Sequence, residues 1–168
     1  HIGAIAESDA WVAEILGASA VDVAGVARLA DAATGHAIIM VDEHGENAIV
    51  IHAGANRALA EGDVLHALSG IGPADTLLLQ NETSHQRAAA AFARRAGARV
   101  IYSAAPFDLD AVREVLPFVS ILAVNAGEAA RLQAGIDAPL PVAGMLVTMG
   151  AEGAEYRDFA SGRTNRQA

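Results

Sequence analysis

Four polar clusters in this sequence each follow a short apolar run, and each carries residue types that can do chemistry. After Thr76–Gln80 come Asn81 and Glu82. A carboxylate at that point can accept protons from sugar hydroxyls, or serve as the ordinary acid at a helix start. After a second run comes Asn125-Ala126-Gly127-Glu128. An amide and an acid three residues apart, opening a helix, can reach phosphate oxygens or a metal-bound water, and equally can cap the helix. After a third comes Gly150-Ala151-Glu152-Gly153, where glycine lets a backbone approach a nucleotide or simply makes a tight turn. The fourth is His52-Ala53-Gly54-Ala55-Asn56. In open α/β sheets ligands sit beyond the carboxyl ends of the strands, so four such clusters at strand ends carry more weight together than singly.

Other chemistries are excluded by composition. The 168 residues contain no cysteine, which removes disulfides, thiol nucleophiles and cysteine-held zinc. All 11 basic residues are arginine; without lysine there is neither a Walker-type phosphate loop nor a Schiff base. The six histidines show no HExxH or other metal-ligand spacing, and there is no GxSxG. Gly70-Ile71-Gly72-Pro73 precedes a strand and lacks a third glycine, so it reads as a turn and not a dinucleotide fingerprint. A net charge of −9 argues against nucleic-acid and anionic-membrane partners, and no run approaches the roughly 18 apolar residues of a membrane span.

The elements that must position these clusters alternate. Ile2–Ala6, Thr76–Gln80, Arg99–Ser103, Phe118–Val124 and Met145–Met149 read as short strands, apolar on both faces, as in a buried parallel sheet. Between them, Ser8 is placed to cap a helix over Asp9–Leu16. Thr83 or Ser84 can cap one running to Arg95 and closed by Gly97, and Asp108 or Asp110 can start one that Pro117 stops. Asn125 can open another through Leu132. This is an α/β fold, a mainly parallel layered sheet with flanking helices and right-handed crossovers. One segment breaks the rhythm: 36–42 and 47–52 are strand-like runs joined by Glu43-His44-Gly45-Glu46, an antiparallel hairpin. Two strands alone are marginal in water, so this hairpin calls for a partner surface, as a lid or a dimer contact. The end of the chain, Ser161–Ala168, fades into polar residues. The start enters Ile2-Gly3-Ala4-Ile5 at once, without the pattern of a signal peptide.

The run from Thr34 to Asn56 resembles the lid segment of ribokinases, in the PfkB carbohydrate-kinase family. Leu77–Glu82 is similar to that family's strand ending in Gln-x-Glu, and Ala105-Pro106 to the end of its Asn-Pro-Ala-Pro turn. Asn125–Glu128 resembles its Asn-x-x-Glu motif, and Val147–Gly153 its nucleotide-side strand and turn. The resemblance implies an ATP-dependent sugar kinase with ribose as the first substrate to test, cytoplasmic, using ATP and Mg²⁺, with a monovalent cation as an optional third cofactor. It implies that Glu82 orients the sugar, that Asn125 and Glu128 organise phosphate and Mg²⁺-bound water, and that Thr148 and Gly150 touch the nucleotide. The lid, 34–56 with His52, Gly54 and Asn56 at its return, covers the sugar and pairs with a second lid in a homodimer.

The departures are informative. Ser103-Ala104 stands in place of Asn-Pro, Ala6-Glu7-Ser8 in place of Gly-Asp-Asp, and the stretch between Leu132 and Met145 is short for the helix and strand often found there. Neither the family's N-terminal sugar-binding motif nor its Gly-Ala-Gly-Asp motif, which holds the catalytic base, is present. Residues 1–168 therefore resemble the central part of one ribokinase-like domain, inactive by itself. A non-catalytic sugar- or nucleotide-binding regulator on the same scaffold is the alternative. A third, an unrelated nucleotide-binding α/β protein, requires the lid resemblance to be chance.

Overall fold

The computed structural model describes residues 1–137 and 139–167. The chain divides into two compact units. One holds His1–Ala67 together with Glu82–His85; the other holds Leu68–Asn81 and the chain from Gln86 onward.

The first unit opens with a parallel pair, β1 (Ile2–Ala6) and β2 (Gly25–Leu29), joined through α1 (Trp11–Ala18). Ala4, Ile5 and Ala6 are buried. A Cβ on Gly25 would stand 2.9 Å from the His1 carbonyl oxygen, so the first residue of β2 has no room for a side chain. The expected cap at Ser8 is not made. Glu7–Asp9 coils into one turn of 3-10 helix directly after β1, so Ser8 lies inside a turn, and α1 begins at Trp11 with no side-chain cap. The helix also passes through Gly17, which costs about 1 kcal/mol in a helix interior but breaks nothing.

The hairpin forms where the sequence places it. β3 (His36–Val41) and β4 (Asn47–His52) pair antiparallel from His36↔His52 to Val41↔Asn47. Asp42 builds the turn: its Oδ1 accepts the N–H groups of His44 (2.8 Å) and Glu46 (3.0 Å), and Gly45 supplies the positive φ of +83°. Every residue of both strands is exposed. A one-turn 3-10 helix (Gly54–Arg57) and α2 (Glu61–Ala67) complete this unit.

The second unit is a six-stranded sheet ordered β10-β9-β8-β7-β6-β5. Strands β5 (Thr76–Gln80), β6 (Arg99–Ser103), β7 (Ile121–Asn125) and β8 (Gly144–Thr148) run parallel. They alternate with α3 (Gln86–Arg95), α4 (Leu109–Val115) and α5 (Ala126–Gly135). Because the strands follow one another in order, right-handed crossovers carry all three helices to one face. Under them lie Val100, Tyr102, Leu122, Val124, Met145 and Val147, all buried. The other face is not covered in the same way: Leu78 is 65% exposed, and β5 alternates exposed and half-buried residues. The reading of every strand as buried on both faces is corrected for β5.

Several boundaries shift for local reasons. Pro117 sits in a 3-10 turn, Leu116–Phe118, so β7 starts at Ile121 and not at Phe118. β8 runs from Gly144 to Thr148, one residue earlier than expected. Helix α3 starts at Gln86 and not after Thr83 or Ser84, because His85 takes a left-handed φ of +59° and interrupts the helical path. Gly97, φ +84°, closes it as expected, and Asp108 caps α4 through the Asp110 and Ala111 N–H groups. Two further strands follow: β9 (Ala154–Asp158) pairs antiparallel with β8, and β10 (Thr164–Gln167), within the polar end, with β9. Among the described residues no helix is long and apolar enough to cross a membrane.

Candidate functional site

The sequence-predicted residues fall into two groups, one in each unit. In the first unit the two roots of the hairpin are fastened together. The Thr34 hydroxyl accepts the Ala6 N–H (2.9 Å) and donates to the Asp9 carboxylate (2.5 Å), which fixes the entering strand to the end of β1. The leaving strand is tied back by the Ala55 N–H on the Ala33 carbonyl (2.8 Å). Gly54 has φ +48°, and a Cβ there would run into that same Ala33 carbonyl; a Cβ on Gly35 would stand 2.7 Å from the Ala53 carbonyl. Glycine is required at both positions because two backbones pass without room for a side chain. His52 closes the hairpin, its ring 5.0 Å from that of His36.

The same unit contains the Glu82 loop. The Asn56 carbonyl accepts both the Ser84 N–H (3.0 Å) and the Ser84 hydroxyl (3.3 Å), and the Arg57 guanidinium donates to the Thr83 carbonyl (3.4 Å). Asn56 and Arg57 are thereby joined to Thr83 and Ser84, the two residues that follow Glu82. Spacing could not reveal this, since the partners lie 26 to 28 residues apart. A further feature that the sequence did not signal is an open cleft beyond the carboxyl ends of β1 and β2. Ala6, Glu7, Ser8 and the run Ala30–Ala33 line it.

In the second unit, Asn125 and Glu128 form a complete capping box at the start of α5. The Glu128 N–H donates to Asn125 Oδ1 and the Asn125 N–H to Glu128 Oε2, both at 2.8 Å. The bland role is therefore real. It occupies one carboxylate oxygen and leaves the remaining N–H groups of the helix start, where backbone dipoles favour anions. Thr148 pairs in register with Asn125 across β7 and β8, so both stand at adjacent strand ends. Gly150 begins a one-turn 3-10 helix, Gly150–Glu152, with φ +58°; a Cβ there would meet nothing within 4 Å. Before the loop at 82, Asn81 is buried and fixed twice: its N–H donates to the Ala105 carbonyl (3.0 Å) and its side-chain amide to the Pro106 carbonyl (2.8 Å). The Ala105–Pro106 bond is cis.

Residues 9–166 match the pattern of the pfkB family carbohydrate kinases. The chain belongs to this family of phosphotransferases. Within it, the chain is 39% identical over 101 residues to mouse ribokinase, an alignment that takes in 59% of this chain and 31% of that protein. It is 33% identical over 111 residues to the Haemophilus influenzae ribokinase, covering 65% of this chain and 36% of the other. The structure of Arabidopsis thaliana ribokinase complexed with ribose and ATP superimposes with a TM-score of 0.81 at 26% identity, over 99% of this chain and 60% of that one. The fold is ribokinase-like α/β. The chain thus spans about a third of the curated relatives it matches. No cluster of three or more histidine or acidic side chains able to hold a metal exists among the described residues.

Proposed function

We propose that this chain is the central part of an ATP-dependent sugar kinase, with ribose as its first substrate and residues 34–56 as its lid. The observation that carries the reading is the joining, within one unit, of the lid's return at Gly54–Arg57 to the loop bearing Glu82. A lid over a sugar needs its hinge beside the residue that orients the sugar. The mouse and Haemophilus influenzae relatives are ribokinases, which supports ribose as the first sugar to test.

The division of labour follows from the residues. Glu82 accepts hydrogen bonds from sugar hydroxyls and orients the attacking oxygen; phosphoryl transfer depends on such positioning more than on covalent participation. The lid excludes water, which suppresses futile hydrolysis. The start of α5, with Thr148 and Gly150 on the neighbouring strand end, offers N–H groups and open backbone to nucleotide phosphates. Mg²⁺, when bound, neutralises phosphate charge. Such an ion usually keeps several of its waters, one of which the second Glu128 oxygen can hold. No residue here is assigned as the base, so the chain alone is expected to lack turnover. A monovalent cation and a lid-mediated homodimer complete the proposal.

Two measurements test it. ADP release with ribose and ATP should appear in the polypeptide extended to the length of its relatives and be absent from residues 1–168. Ribose turnover by these residues alone would overturn the assignment of the base elsewhere. In the extended protein, Glu128→Gln keeps an acceptor for the Asn125 N–H and so the capping box. It should leave the melting temperature nearly unchanged while lowering turnover at least about tenfold, about 1.4 kcal/mol of transition-state stabilisation, and raising the Mg²⁺ requirement. Glu82→Gln should act chiefly on sugar KM. Unchanged turnover in Glu128→Gln would leave that residue only its capping role.

A further inference from the structure

We propose that Ser84 and His85 are positioning residues that couple the root of the hairpin to Glu82, so that movement of the lid sets where the sugar-facing carboxylate stands. The proposal rests on the sugar-kinase reading for its functional consequence, and on geometry alone for the coupling.

The four residues Glu82–His85 leave the sheet unit for the hairpin unit, although β5 before them and α3 after them both belong to the sheet. Such an excursion is held in place by specific bonds. Ser84 sends two donors, its N–H and its hydroxyl, to a single acceptor, the Asn56 carbonyl. His85 uses both ring nitrogens: Nε2 lies 2.9 Å from the Leu59 carbonyl, and Nδ1 lies 3.3 Å from the Glu61 carboxylate. Nε2 donates to the Leu59 carbonyl, two residues beyond the 3-10 turn, and the ring, when protonated, also pairs through Nδ1 with Glu61, the first residue of α2. His85 does this from a left-handed backbone, φ +59°, a conformation uncommon outside glycine and tolerated by histidine better than by branched residues. The ring therefore faces the 54–61 segment at the expense of continuing the helix.

The other end of the connection is equally specific. Asn56 follows Ala55, whose N–H fixes the leaving strand to the Ala33 carbonyl, and Ala33 adjoins Thr34, which binds Asp9 and Ala6. From Thr34 to Glu82 the path consists of backbone hydrogen bonds and short covalent links, with one flexible side chain, that of Arg57, alongside. A hairpin whose twelve strand residues are all exposed is free to swing, and its swing pivots on these roots. Tilting the Gly54–Asn56 turn must move the carbonyl that holds Ser84, and with it Glu82 two residues away. By reciprocity, a sugar that fixes Glu82 favours one lid position.

Hydrogen exchange on the 168-residue chain tests the coupling directly. Gly54→Ala, which forces a Cβ against the Ala33 carbonyl, should raise exchange in both the hairpin and residues 82–85. Thr34→Val, which removes both hydroxyl hydrogen bonds at nearly constant volume, should do the same if Gly54→Ala fails to fold. His85→Ala should raise exchange in 82–85 and 54–61 while leaving β6, β7 and β8 protected. His85→Gln, which keeps a donor for the Leu59 carbonyl, should restore most of the protection. In the extended kinase, His85→Ala should raise sugar KM about five- to tenfold, the scale of one lost hydrogen bond, and leave ATP KM within about twofold, with His85→Gln close to wild type. A loosened hairpin with unchanged exchange at 82–85 would overturn the coupling, as would equal changes in both KM values. A wild-type extended protein that phosphorylates no sugar would overturn the kinase reading alone, and the exchange experiment would still decide the coupling.

Discussion

The molecule contains two β-hairpins whose turns are made by an aspartate, and they stand in opposite situations. In β3–β4, Asp42 Oδ1 accepts the His44 and Glu46 N–H groups; in β9–β10, Asp158 Oδ1 accepts those of Ala160 (2.9 Å) and Ser161 (3.1 Å). The β9–β10 strands are polar, Ala154–Asp158 and Thr164–Gln167, and extend the six-stranded sheet through β8. The β3–β4 strands are rich in Ile, Val and Met. They pair only with each other, and Ile38, Ile39, Val41 and Val50 are each more than half exposed. Similar turn chemistry therefore serves two purposes. A polar hairpin closes a sheet with an edge that resists further pairing. The apolar hairpin pairs with no other strand among the described residues and leaves its Ile, Val and Met side chains exposed.

The comparison predicts that lesions in one hairpin unfold the chain and lesions in the other do not. The largest effect belongs to the β8–β9 ladder that supports β9–β10. A Cβ on Gly144 would lie 2.6 Å from Tyr156 Cζ, at the end of the ladder where Gly144 pairs with Asp158. Gly144→Val should cost about 2–3 kcal/mol as an overpacking change, read as a fall in the denaturant midpoint at constant slope. A midpoint unchanged from wild type would show that β9 yields easily and that the two hairpins are alike.

Ile49→Asp is the opposing arm and the smaller effect. Ile49 is 51% exposed, so the substitution should move stability by no more than about 0.5 kcal/mol. It should, however, weaken self-association measured by light scattering, because two lids pressed together would place the new charge in an apolar contact. A wild-type extended protein that stays monomeric at high micromolar concentration would remove the dimer from the proposal and leave the lid only its intramolecular task.

The same contrast explains what could be read from the sequence. The strands Ile2–Ala6, Thr76–Gln80 and Arg99–Ser103 were legible to the residue, being short apolar runs between turn residues. The hairpin was legible from Gly45 between two apolar runs. Strand β2 escaped because Arg28 and the flanking alanines break its pattern and only the ladder with β1 defines it. β9 and β10 escaped because Glu155, Arg157, Asn165 and Arg166 carry no apolar face; their order comes from pairing with β8 and with each other. At the site, Asn125 and Glu128 were visible because a capping box has a fixed spacing. The bonds from Ser84 and His85 to Asn56 and Leu59 were not, since contacts 26 to 28 residues apart leave no periodic trace.

The smallest predicted effect is the response of the β9–β10 turn to acid. Hydrogen bonds from the Ser161 backbone, then from its side chain, hold the Asp158 carboxyl below the ordinary aspartate value; the Ala160 N–H and the charge of Arg163 act in the same direction. A carboxyl depressed in the folded state stabilises the turn while ionised. That contribution is complete above the unfolded-state pKa and is lost as pH falls through the lower folded value. Because Asp158 is only half-buried at the end of β9, the loss should be local and should not unfold the sheet. The amide chemical shifts of Ala160 and Ser161 should move together on acidification below the ordinary aspartate range, while amides of β6 and β7 stay fixed. Asp158→Asn keeps an Oδ1 acceptor but cannot titrate, so the movement should vanish with the turn intact. The same titration persisting in Asp158→Asn would assign it to another carboxylate.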